Sequence, residues 1–315
     1  MGLMEWLGRL LRGGPPEVRR AGPADIRRPG GAARAGGQTG LGLMELSRRL
    51  GAPISQLQAI DVEYTEFTIP KRSGGRRTIL APSRPLKDLQ RRILRRLLGR
   101  LRSHPAATGF ERGRSIVTNA RRHVGSAVVL RMDVREFFAS TEASRVRAYF
   151  EAIGWGSEAV YLLSRWCTAD GGLPQGAPTS PRLSNLVNYR LDARLSGLAR
   201  AIGATYTRYA DDITFSFPTE DREAIHAAIR MTKKILGECG YRLHTKKKLT
   251  IRRRHQRQEV TGLVVNDRVA LPRETRRRLR AVAHRLARGR EATLTPRQLA
   301  GWTALMRMVE GQADG

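Results

Sequence analysis

The sequence predicts a mixed α/β (α+β) fold, and three patterns carry that prediction. Leucines recur at helical spacing, as in Leu86–Leu101, where Leu89, Ile93, Leu94, Leu97 and Leu98 share one face. Two stretches, Tyr64–Leu80 and Thr205–Phe217, read as strands on either side of a tight turn. Ala127–Asp133 is an apolar run that ends in a carboxylate, the pattern of a buried strand.

The remaining elements follow in chain order. Leu3, Trp6, Leu7, Leu10 and Leu11 fit a short amphipathic helix over Met1–Arg12. Gly13–Gly40 is rich in Gly, Pro, Arg and Ala and reads as a flexible linker or tail. Globular patterning starts at Leu41, and Leu43, Leu46 and Leu50 mark a helix. Tyr64–Pro70 is a strand, Ser73-Gly74-Gly75 a turn and Arg76–Leu80 the returning strand. Helices are expected over Leu183–Ala199, Glu220–Cys239, Arg273–Gly289 and Thr295–Glu310. No internal repeat is present.

Composition narrows the function classes. A chain of 315 residues that is 40% hydrophobic can bury a core as one large domain or two to three subdomains. There is no apolar run of about eighteen residues for a spanning helix, and no secretory leader pattern opens the chain. A cytoplasmic protein without a membrane partner is therefore expected. Cys167 and Cys239 read as two reduced thiols, and no Cys/His spacing forms a zinc site. The net charge of +30 comes from 51 arginines and seven lysines against 28 acids. GC-rich coding accounts for part of the arginine excess, yet such a charge calls for a polyanion, and nucleic acid is the expected partner.

Acids stand where burial is costly. Asp133 ends an apolar strand, and Asp211 and Asp212 share the tip of a hairpin in Tyr209-Ala210-Asp211-Asp212. Like charges so close repel and lose solvation unless a cation is near. Three carboxylates on adjacent strands would suit two Mg²⁺ ions roughly 3.5–4 Å apart, with Mn²⁺ as a substitute. By itself the acid pair also fits a plain Asp-Asp turn without metal.

Other segments decide between these readings. Tyr209-Ala210-Asp211-Asp212 resembles the palm hairpin of the reverse transcriptases, and Met132-Asp133-Val134-Arg135-Glu136-Phe137-Phe138 resembles their first metal-binding strand. Leu173-Pro174-Gln175-Gly176-Ala177-Pro178-Thr179-Ser180-Pro181 resembles their template and nucleotide loop. The motifs stand in the family's order, from about Tyr64 to the C-terminus. Asn119-Ala120-Arg121-Arg122-His123 and Val260-Thr261-Gly262 are similar to two signatures of the bacterial retron enzymes. Residues 1–40 have no counterpart in the resemblance.

The resemblance implies a right-hand polymerase: an N-terminal extension at 1–40, fingers at 41–127, a palm at 128–266 and a helical, basic, RNA-binding thumb at 267–315. The palm should carry a small antiparallel sheet packed on helices. Asp133, Asp211 and Asp212 would ligate two Mg²⁺ ions with help from the Val134 carbonyl. Phe138 would lie beneath the incoming sugar and exclude a 2′-hydroxyl, leaving Phe137 to the core. Lys71 and Arg77 would pair with the triphosphate. Gln175 would touch nucleotide or template, and Gly176 would permit close backbone approach. Lys247 resembles the lysine that protonates pyrophosphate, although a solvated basic loop fits Lys246–Lys248 as well.

Asn119 and His123, four apart on one helical face, could touch RNA or tie fingers to palm. Residues 268–290 hold nine arginines and one acid, Glu274, so Arg276, Arg277 and Arg280 are expected on a phosphate-tracking face. By resemblance this thumb recognises a cognate non-coding RNA. That RNA would be copied from dNTPs into a branched, RNA-linked single-stranded DNA, primed from an internal 2′-hydroxyl. Anti-phage defence and an effector protein complete the implied setting. The alternatives are a diversity-generating, group II intron-like or abortive-infection reverse transcriptase, an RNA-dependent RNA polymerase, or an inactive RNA-binding protein.

Overall fold

The computed structural model describes residues 19–21, 40–70, 74–244 and 249–313. The helix expected over Met1–Arg12, Lys71 and the Lys246–Lys248 run lie outside the described residues. Among the described residues twenty elements form, counting the π turn with α3. The first sheet pairs β2 (Tyr64–Pro70) with β3 (Arg76–Pro82), antiparallel from Tyr64↔Pro82 to Pro70↔Arg76. A short strand β1 (Arg19–Ala21), inside the segment read as a linker, lies antiparallel along β2. Helices α1 (Leu43–Leu50), α2 (Ile54–Gln58) and α3 (Arg84–Ile93) flank this sheet in sequence, and α3 runs on as a π turn over Leu94–Leu98. α4 (Ile116–Arg121) follows and is closed at its start by a Ser115/Thr118 capping box.

The second sheet positions the site. Its order is β5 (Thr205–Tyr209), β6 (Asp212–Phe217), β4 (Val128–Asp133), β7 (Thr250–Arg253), all antiparallel. Strand alternation sorts its residues onto two faces. Val128, Leu130 and Met132 of β4 and Ile213, Phe215 and Phe217 of β6 point into a core with α8 (Tyr189–Ala201) and α9 (Arg222–Glu238). Arg131, Asp133, Asp212 and Thr214 therefore belong to the opposite face, away from those helices.

A larger core joins α1 and α3 to α5 (Ala143–Ala152), α6 (Ser157–Cys167) and α7 (Ser180–Val187), with Trp166 fully buried. This core mixes residues from both the 41–127 and the 128–266 ranges. A third cluster packs α4 against β4 residue Val129, the hairpin β8 (Glu259–Val260) and β9 (Leu263–Val264), and Val309 of α11 (Pro296–Ala313). The fourth is small: Leu279 and Val282 of α10 (Arg273–Ala287) with Leu294.

One expected helix is two. Leu183–Ala199 breaks at Asn188, between α7 and α8. The Asn188 Nδ2 group donates to the Ser184 carbonyl (2.8 Å) and to the Tyr241 hydroxyl (2.8 Å), so its side chain competes with the helix it interrupts. Leu86–Leu101, expected as one helix, ends at Leu98.

Candidate active site

Register brings the acids together. Asp133, the last residue of β4, lies directly opposite Asp212, the first of β6, on the face away from α8 and α9. Asp211 precedes it in the turn, and its carbonyl accepts from the Val134 N–H at 2.9 Å. Two basic side chains meet this cluster: Arg131 Nη2 is 2.6 Å from Asp212 Oδ2, and His244 Nε2 is 3.7 Å from Asp133 Oδ1. Directly opposed like charges destabilise a sheet, and Arg131 offsets part of that repulsion.

The turn itself is strained. Tyr209 pairs with Asp212 across a two-residue loop in which Ala210 has φ 57°. Positive φ at the first loop position and not at the second is a pattern that favours glycine. An alanine there costs about 1–3 kcal/mol, which persists only when the surroundings hold it. They do so through Arg208. Its Nη1 donates to the Ala210 carbonyl (3.0 Å), while Nε and Nη2 donate to Asp192 at 2.8 and 2.6 Å. Both side chains are fully buried, and the Tyr206 hydroxyl donates to the same carboxylate at 2.7 Å. Burial works against the Arg208 charge, but Asp192 more than offsets it and holds the pKa above the usual arginine value. Burial also raises the Tyr209 hydroxyl.

The other expected residues divide into three groups. Phe138 is half-buried with its ring 6.2 Å from that of Phe110, and Phe137 is buried, stacked on Tyr241 at 5.6 Å. Gln175 accepts the Leu80 N–H of β3 through its carbonyl (2.9 Å), and Gly176 at φ 136° lies so close that a Cβ would sit 2.6 Å from the Leu80 carbonyl oxygen. Close approach is thus what glycine supplies here, between the loop and the first hairpin. Arg77 stands on β3 opposite Ile69. Lys71 and Lys247 lie outside the described residues.

Asn119 and His123 do not face an open groove. Asn119 Oδ1 accepts from the Thr108 hydroxyl at 2.7 Å. The His123 ring bonds Ser216 Oγ (2.8 Å) and Thr207 Oγ1 (2.7 Å), on the sheet face that carries the acids. Both side chains are buried, leaving little surface to offer RNA; His123 ties the 41–127 range to the sheet, while Asn119 is bonded to Thr108 within that range. Burial, with Arg122 adding repulsion, lowers the His123 pKa to about 3. The second signature meets the first, since Thr261 Oγ1 donates to the Ile116 carbonyl of α4 at 3.1 Å. Arg276, Arg277 and Arg280 are exposed on α10, while Leu279 and Val282 turn inward.

Oxygen donors from three carboxylates suit a hard divalent ion in kind and in backbone placement. Nevertheless, among the described residues no group of three His, Cys, Asp or Glu side chains is gathered to hold a metal. Asp212 is paired with Arg131. Sequence reading missed Arg131, the Asp192–Arg208 pair and Phe110. An arginine within strand β5 was the visible sign that a buried acid must exist.

Comparison with known proteins fits this geometry. The profile of the family described as "Reverse transcriptase (RNA-dependent DNA polymerase)" matches residues 69–265. The Retron Mx65 reverse transcriptase of Myxococcus xanthus is 41% identical over 264 residues, covering 78% of this chain and 61% of that protein. The Retron Mx162 reverse transcriptase of the same organism is 36% identical over 88% of this chain and 66% of its own length. The Retron Ec86 reverse transcriptase of Escherichia coli is 35% identical over 80% and 78%. The chain thus spans about three fifths to two thirds of the two Myxococcus proteins.

Proposed function

The chain belongs to the retron reverse transcriptases, and from that premise we propose that it is the RNA-directed DNA polymerase of a retron. It copies part of a cognate structured RNA, from an internal 2′-hydroxyl, into a branched RNA-linked single-stranded DNA. The observation that carries the chemistry is the opposed pair Asp133 and Asp212 with Asp211 in the adjoining turn. Fingers at 41–127, palm at 128–266 and thumb at 267–315 are the proposed division. A cytoplasmic setting, an effector partner and anti-phage defence belong to the same proposal.

Divalent metal is the family's cofactor, and Mg²⁺, replaceable by Mn²⁺, is the ion proposed here. Bound at Asp133, Asp211, Asp212 and the Val134 carbonyl, two such ions would supply charge neutralisation for the attacking oxygen and the departing pyrophosphate. The protein's own groups do the rest. The strained turn at Ala210, held by Arg208, fixes where the carboxylates stand before substrate arrives. Phe138 fills the space a ribose 2′-hydroxyl would need. Lys71 and Arg77 approach the triphosphate from the finger hairpin, Gln175 meets the base or template, and Lys247 donates a proton to pyrophosphate. Arg276, Arg277 and Arg280 bind phosphates of the structured RNA.

The test uses the nucleic acid that co-purifies with the chain. With dNTPs and Mg²⁺ that RNA should gain DNA covalently linked at one guanosine, and rNTPs should not replace dNTPs. Extension of any annealed primer, with no covalent RNA–DNA product on the co-purified RNA, would sink the retron reading.

A further inference from the structure

We propose that Phe110 is a stacking surface for the terminal base pair of the bound template–primer duplex, in one aromatic wall with Phe138 and Tyr209. This inference rests on the polymerase reading above and adds a residue that the motifs leave out.

Four observations converge on it. Phe110 has φ 62°, a conformation that a bulky side chain adopts only under constraint. The constraint is visible on both sides of it. Before it, the Arg208 N–H donates to the Ala106 carbonyl and the Thr108 N–H to the Arg208 carbonyl, each at 2.8 Å. Gly109 is pressed so tightly on the catalytic turn that a Cβ would lie 2.9 Å from the Ala210 nitrogen. After it, Glu111 is paired with Arg182, and Asn185 Nδ2 donates to both the Gly109 carbonyl (2.7 Å) and Glu111 Oε1 (2.8 Å).

All this anchoring presents a ring to solvent. Phe110 is 45% exposed, one of three large apolar side chains so exposed among the described residues. Its centroid lies 6.2 Å from Phe138 and 6.2 Å from Tyr209, tilted 43° to each. An exposed phenyl gains nothing from water, and a strained backbone beneath it costs stability. The loop therefore holds the ring for something that arrives. A face beside the sugar-gating Phe138 and the hairpin Tyr209, at the edge of the carboxylates, meets the end of the nascent duplex. Bases offer a π face whatever their identity, so a phenyl ring serves a polymerase that must accept all of them.

The experiment binds the full chain, without dNTP, to a duplex carrying 2-aminopurine at the template position of the terminal pair. Wild type and Phe110→Tyr should quench the probe. Phe110→Ala and Phe110→Asn should lose most of the quenching and release the duplex about tenfold faster, the scale of one lost base stack. Asparagine tolerates positive φ, so Phe110→Asn should melt no lower than wild type. Failure of the wild type to quench, or equal quenching by Phe110→Ala, overturns the proposal. A Phe110→Asn chain that melts well below wild type makes the ring a packing element and overturns it too. A wild type that quenches yet adds no dNTP refutes the polymerase reading while supporting the stacking surface.

Discussion

The four-stranded sheet β5-β6-β4-β7 and the C-terminal helices α10 and α11 are built on opposite physical terms. Around β5 and β6 every charge is placed: Arg208 and Asp192 are sealed from solvent, and a strained alanine is held by a specific hydrogen bond. On α10 the arginines are exposed, while Leu279, Val282 and Leu286 reach inward. The first region spends stability on positioning, where a small displacement changes the chemistry. The second offers exposed charge, and screened, long-range attraction tolerates rearrangement. Substitutions should therefore act steeply in the sheet and gradually on α10.

The largest effect tests the acids. Asp211→Asn should cut single-nucleotide incorporation by about a thousandfold or more, several kcal/mol of lost charge stabilisation, while RNA affinity stays near wild type. Incorporation within tenfold of wild type would detach the turn from the chemistry. Next comes the buried pair. Asp192→Ala should destabilise the fold by about 3–5 kcal/mol in urea titrations, because Arg208 is left charged and unpaired in the core. Asp192→Leu combined with Arg208→Met should recover much of that stability without recovering incorporation, since nothing then holds the Ala210 carbonyl. Recovery of both would reduce the pair to a packing element.

A smaller effect separates the two regions by pH. The folded-state pKa of His123, about 3, lies below the 6.5 of an ordinary histidine. Between those values the unfolded chain binds the extra proton, so this contribution is complete above pH 6.5 and is lost as pH falls towards 3. Near pH 5.5 the loss is about 1.4 kcal/mol. Urea titrations at pH 7 and 5.5 should show it in wild type and not in His123→Gln; identical pH dependence in both would contradict the buried, neutral ring. Smallest per residue is the thumb. Removing Arg276, Arg277 and Arg280 together should lower the salt slope of RNA affinity by about 0.9 per lost phosphate contact, one step for each arginine. Priming from the cognate 2′-hydroxyl should suffer while extension of an annealed DNA primer persists; a parallel fall of both would make the thumb a general clamp.

Legibility divides along the same line. The two hairpins, the strand ending in Asp133 and the thumb helices follow from periodicity, because each is a local pattern. Asn188 escaped because a polar side chain, not a proline or glycine, ends α7. The fate of Asn119 and His123 is a tertiary fact: helical spacing suggests one shared face, but α4 ends at Arg121, so His123 leaves it in the following turn and meets β5 and β6 while Asn119 meets Thr108. Phe110 was invisible because no spacing rule reads a loop conformation. Asp192 and Arg208 are sixteen residues apart, and although an arginine inside a strand hints at a buried acid, no spacing rule names Asp192 as that acid.

Strand β4 has a further consequence, in the time during which the chain is made. It lies between β6 and β7 and takes its nearest partner about 80 residues later in the sequence. Until that partner is synthesised, an apolar strand carries two open edges, the state most prone to pairing with a neighbouring chain. The charged residue Arg131 in its middle, which later meets Asp212, then acts as a gatekeeper against such pairing. Slow, dilute synthesis at low temperature should accordingly favour yield, because the sheet that aims the carboxylates is complete only once β7, its last-made edge strand, has emerged.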